Sequence, residues 1–175
     1  MKSRDIAIVG ILLAVGAIFR YFLAMLHTPM TPNMIIAFYC LAIILVHPKV
    51  YEALGIGIVA GVLSMLITSS MFPPANLISE PIGALVCFGI YFGIRKMPDY
   101  AGPGISTFIA TCASGFTFAL ILIVAITNGL VKTGSTIGGL LLVFIPIILV
   151  TAVFNAIIVQ ILYIPSSRVL MRGNE

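Results

Sequence analysis

Residues 137–163, IGGLLLVFIPIILVTAVFNAIIVQILY, carry no charged side chain. A helix needs about 20 apolar residues to cross a hydrocarbon layer roughly 30 Å thick, and this run exceeds that. Hydropathy marks five more such runs, at residues 5–26, 34–46, 50–71, 77–94 and 104–128. In lipid every backbone N–H and C=O needs an internal partner, so runs of this kind are helices. The second, at 13 residues, is short for a span and is expected to tilt or to borrow neighbouring residues. Composition agrees: 8% of residues are charged and mean hydropathy is +1.24, against about 25% charged in soluble domains. The expectation is an all-α integral membrane protein, one domain over residues 1–175 with six transmembrane helices in a compact bundle.

The opening MKSRD followed by an apolar run imitates a signal peptide. Arg20 is followed by a further apolar stretch, YFLAML, with no small-x-small site after it, so a retained first helix is expected. If six spans alternate, Lys2, Arg4, Lys49, Arg95, Lys96, Arg168 and Arg172 fall on one side and only Lys132 on the other. The positive-inside rule then places both termini in the cytoplasm of a plasma-membrane protein. The same bias accounts for the net charge of +4 without invoking nucleic acid. Cys40, Cys87 and Cys112 lie in apolar runs without CxxC spacing and are read as core residues.

The segment FPPANLISEP, residues 72–81, then faces outward, with Pro73 and Pro74 expected to stop the third span and Pro81 to start the fourth. Between them lies a loop holding Asn76 and Glu80. Glu80 either caps the fourth helix through its dipole, pairs with Arg20, or meets a ligand. Arg20 lies deep in the first span, where it either snorkels to the headgroups or faces protein. Asn33 and Asn76 flank helix starts as caps or as ligand-orienting amides. Asn155 lies deeper, where an amide seldom sits without a partner. If the ligand is an amino acid, Glu80 meets its ammonium and Arg20 its carboxylate, with Asn33 and Asn76 orienting it. Phe19, Tyr39 and Phe72 would cover its side chain.

Neither HExxH, GxSxG nor a P-loop GxxxxGK[ST] is present, and His27 and His47 fall at opposite faces. A carrier or binding subunit is therefore expected rather than an enzyme, with no metal and no cofactor in the chain itself. Small residues recur at helix spacing: Gly10, Ala14 and Ala17 in the first span, Gly57 and Gly61 in the third, Gly89 and Gly93 in the fourth. Such stripes let helices approach closely. That of the first span is the candidate docking face for a partner protein.

Six spans in under 200 residues, with a small-residue stripe in the first, resemble the S components of energy-coupling factor transporters. TPNMIIAFYCLAIILVHPK and GIGIVAGVLSMLITSSMFPPANLISEPIGALVCF are similar to the tryptophan-transporter group of that family. That group has PDMM or PNMM near the second span and roughly FPxxxIPNxIDK before the fourth. The chain departs from the second pattern at Ser79, Glu80 and Pro81. The resemblance implies a substrate-binding subunit that captures a small nutrient at the outer face, tryptophan or another aromatic amino acid, or alternatively a vitamin. Its partners would be a transmembrane coupling protein and two cytosolic ATPase subunits that use ATP. The alternative from another class is a stand-alone secondary carrier, although no repeat between residues 1–94 and 95–175 is evident.

Overall fold

A computed structural model describes the backbone of residues 1–25, 32–94 and 101–172, and side chains as far as Arg168. His27, Arg95, Lys96 and the Arg172 side chain, used above, lie outside the described residues. Among those described are six α-helices: α1 (Ser3–Ala24), α2 (Ile35–Val46), α3 (Val50–Ile67), α4 (Asn76–Ile94), α5 (Gly102–Thr127) and α6 (Ile137–Arg172). Five are long and apolar enough to cross a membrane, and α2 is shorter.

The short helix is the centre of the fold. α2 packs against all five other helices, and every residue from Ile35 to Ile44 is buried. It is apolar on all sides because protein surrounds it on all sides. The outward faces of the other helices carry Leu66, Leu120, Leu142 and Phe154, all exposed. Within the bundle lie Arg20, Asn76, Glu80, Thr107, Thr111, Ser114 and Asn155. Apolar outside and polar within is the distribution that lipid favours, since polar side chains there face the bundle interior.

α3 ends at Ile67, four residues before the expected 71. Thr68 turns extended, and its Oγ1 accepts the N–H of Ser70 at 3.1 Å. That local bond offers the backbone an alternative to helix. α6 runs on past the expected 163, through Pro146 and Pro165, because a membrane helix tolerates the loss of a single ladder bond.

The 72–81 stretch also departs from expectation. Pro73–Ala75 form one 3-10 turn that feeds directly into α4 at Asn76. Pro81 lies inside α4 rather than at its start, so Glu80 belongs to helix and not to a loop. The seam with α3 accommodates this. A Cβ on Gly57 would stand 2.7 Å from Pro81 Cα, and one on Gly61 would stand 2.8 Å from the Asn76 carbonyl oxygen. Glycine at both positions lets α3 lie directly on the first turns of α4. Gly10, Gly89 and Gly93 face open space instead.

The N-terminal ammonium of Met1 contacts Oε1 of Glu52, joining the start of α1 to the start of α3. Lys2 and Lys49 thus lie at one end of the bundle, as alternation of the spans requires.

Candidate functional site

Toward the opposite end of α1, the Arg20 side chain points inward and is 1% exposed. It does not snorkel. Its Nη2 donates to Oδ1 of Asn76 at 3.1 Å. Asn76 in turn donates from Nδ2 to the carbonyl of Pro73 at 2.8 Å. The 3-10 turn therefore fixes the amide that receives the guanidinium, and the two prolines define that turn.

Glu80, also 1% exposed, lies one turn further along α4. Its Oε1 accepts a hydrogen bond from Asn33 Nδ2. The orientation of the Asn33 amide is set locally, because its Oδ1 accepts the Ile35 N–H at 3.1 Å, at the start of α2. Asn155, in α6, donates from Nδ2 to the Asn33 carbonyl at 3.0 Å and to Thr111 Oγ1 at 3.2 Å. Asn33 therefore meets the first residue of α2 and the buried carboxylate through its side chain, and α6 through its backbone carbonyl.

Arg20 and Glu80 are not an ion pair. Among the described residues, Nε and Nη1 of Arg20 and Oε2 of Glu80 all stand buried without a hydrogen-bond partner, and Nη2 of Arg20 is engaged by Asn76. The two charged groups instead line a common cavity, and each keeps unused capacity. Buried charges without a full set of partners are costly, and native structures hold few such groups.

The cavity has a polar wall made by Arg20, Asn33, Ser70, Asn76 and Glu80, and an apolar one made by Ile36, Gly115, Phe118, Ile147 and Ile148. Thr111, Ser114 and Thr151 stand between them. Its volume is about 30 Å³, room for about two water molecules.

Of the residues singled out from sequence, Arg20, Asn33, Asn76 and Glu80 meet here. Tyr39 lies deeper in the core, and its hydroxyl faces Glu80, as does that of Ser114. A Cβ on Gly83 would come within 2.3 Å of that hydroxyl. Phe72 is half-buried and packs with Ala75 and Phe118 in a neighbouring apolar cluster, outside the cavity lining. Phe19 is 51% exposed and stacks on Phe38 at 5.7 Å, also away from the cavity. Of α5 and α6 only Asn155 was singled out from sequence, and the lining residues of both helices were missed. A signal for them exists in Thr107, Thr111 and Ser114, which recur at helix spacing within an apolar run. On α1, Gly10 and Ala14 are exposed, whereas Ala17 packs against the core.

A profile of the family described as "Tryptophan transporter TrpP" matches residues 2–172. The chain belongs to this tryptophan transporter family. It is similar to the "Probable tryptophan transport protein" of Bacillus subtilis (strain 168), with 29% identity over 177 residues, covering 99% of this chain and 96% of the relative. No solved structure matches the chain. TrpP membership makes the chain a transporter, and the apolar helices make it a multi-pass membrane protein. Of the buried polar atoms without a partner among the described residues of this TrpP chain, those of Arg20 and Glu80 line the cavity, while Tyr39, Ser64, Ser79 and Asn155 carry others outside its lining.

Proposed function

We propose that the chain captures tryptophan at the outer face of the plasma membrane, as the substrate-binding S component of an ATP-driven energy-coupling factor importer. The observation that carries the ligand is the presence of an underbonded cation and an underbonded anion in the lining of one cavity. Arg20 offers donors at Nε and Nη1, and Glu80 offers an acceptor at Oε2. An α-amino acid presents the complement, a carboxylate and an ammonium joined through one carbon. Arg20 takes the carboxylate and Glu80 the ammonium. Asn76 and Asn33 act as positioning residues, each holding one of the charged groups. Family membership and the name of the Bacillus subtilis relative support tryptophan among amino acids.

The direction of capture follows from charge. Lys2, Arg4 and Lys49 mark the end where Met1 meets Glu52, the cytoplasmic end by the positive-inside rule. Arg20 and its cavity lie toward the other end of α1, and hence toward the outside.

The S-component role rests on the resemblance in sequence, and the exposure of Gly10 and Ala14 supports it. Those two residues offer a smooth strip near the cytoplasmic end of α1 where a coupling protein seats, while ATP is used by the two partner ATPases. Affinity purification from a native membrane is the test. An S component brings down a transmembrane coupling protein and two ATPase subunits. A stand-alone carrier is recovered free of ATPases, and that result would remove this part of the reading.

A further inference from the structure

A cavity with room for about two water molecules cannot hold an indole ring without moving a wall. Part of the cavity lining comes from α5 and α6, with Gly115 on one helix and Ile148 on the other. Where α5 meets α6, a Cβ on Gly115 would stand 2.9 Å from Cγ1 and Cγ2 of Ile148, side-chain atoms of a residue that itself lines the cavity.

The helix carrying Ile148 is weakened at the same level. Pro146, two residues earlier, lies inside α6 and cannot donate to the preceding turn. It sits on the exposed side of the helix, with Ile148 on the buried side. A β-branched residue in a helix has one strongly preferred χ1 rotamer. Ile148 therefore has little freedom to turn in place, and the ladder bond missing at Pro146 lies within one turn of it.

We infer that Gly115 and Ile148 set which side chain the site accepts, the ring of the ligand lodging in the α5–α6 seam and lifting Ile148 off Gly115. This rests on the amino-acid reading above, in which Arg20 and Glu80 hold the backbone of the ligand. Gly115 acts as a size filter, since its missing Cβ leaves the depth into which the ring passes. Ile148 is the opposite jaw.

Calorimetric titration of the full chain in lipid nanodiscs with L-tryptophan and with 5-methyl-L-tryptophan tests this. Adding or removing a methyl-sized group in an apolar pocket changes binding by about tenfold or more. Gly115→Ala is expected to weaken tryptophan binding by about that factor. Ile148→Ala is expected to shift the ratio of affinities toward 5-methyltryptophan by about tenfold. The double variant is expected to recover most of what Gly115→Ala loses, which mere misfolding would not do. If Gly115→Ala does not fold, the selectivity shift in Ile148→Ala decides alone. Wild-type chain that fails to bind tryptophan overturns the amino-acid reading and this inference with it. Wild-type binding together with an unchanged affinity ratio in Ile148→Ala overturns this inference alone.

Discussion

Arg20 on α1 donates to Asn76, the first residue of α4, at 3.1 Å. That bond crosses from one helix to another between two side chains that are both buried. It uses one nitrogen of the guanidinium, while Nε and Nη1 have no hydrogen-bond partner among the described residues.

Arg20→Lys is therefore expected to behave as a loss and not as a conservative change. A lysine keeps the charge but lacks the planar fork that can hold Asn76 and a carboxylate together. Tryptophan affinity should fall by about tenfold or more, the value of a charge-assisted hydrogen bond. An unchanged dissociation constant in fluorescence titration would mean that Arg20 is structural only.

Asn76→Ala removes the acceptor for Arg20 Nη2 and leaves a buried donor unsatisfied. The expected cost is about 1–3 kcal/mol of stability, together with weaker binding per folded molecule. A thiol-reactive dye that reports exposure of the buried Cys40 and Cys87 follows unfolding, and titration of the folded fraction follows binding. A loss of stability with unaltered affinity would reduce Asn76 to a packing role.

The α3–α4 seam gives a prediction independent of ligand. Gly61→Ala pushes a methyl against the Asn76 carbonyl, 2.8 Å away, and overpacking of this kind costs about 1–3 kcal/mol. Gly89→Ala points into open space and is expected to be neutral or to stabilise by up to about 1 kcal/mol through helix propensity. Thermal unfolding of the two variants side by side checks the order, and equal melting temperatures would contradict the seam.

For orientation, Lys132 and Lys49 are exposed at opposite ends of the bundle. Lys132→Cys should react with an impermeant thiol reagent on intact cells, and Lys49→Cys only after permeabilisation. The reverse pattern would invert the membrane orientation and move the cavity to the cytoplasmic side. Ala75 would make a poor reporter because it is 1% exposed.

The helices were legible because lipid demands long apolar runs, and each observed helix overlaps an expected one. The central place of α2 was not, since protein and lipid impose the same apolar character on a helix surface. Its length of 12 residues was the one clue, and it reads equally well as a tilted span. Pro81 was misplaced because a proline ordinarily marks the first turn of a helix, although the apolar run from residue 77 already came within one residue of the start of α4. In the site, Arg20, Asn33, Asn76 and Glu80 stood out because such groups are rare within apolar sequence. Thr111 and Thr151 did not, since Ser and Thr in helices commonly bond back to a carbonyl four residues earlier. Both do so here, at 2.8 and 2.6 Å. Phe72 and Phe19 stood out through proximity in sequence to polar residues, and neither is part of the cavity lining.

The central claim is that one cavity reads both charges of an amino acid, and a single titration tests it most directly. The chain contains no tryptophan, so the indole emission of a ligand reports binding without protein background. L-tryptophan, tryptamine (which lacks the carboxylate) and indole-3-propionate (which lacks the ammonium) are titrated against wild-type chain and Glu80→Gln. Wild type is expected to prefer tryptophan over each analogue by about tenfold or more, because each analogue leaves a buried charge unpaired. Glu80→Gln is expected to lose the preference over indole-3-propionate while keeping the preference over tryptamine. Equal binding of all three ligands by wild type, or a selectivity that Glu80→Gln leaves unchanged, would contradict the account.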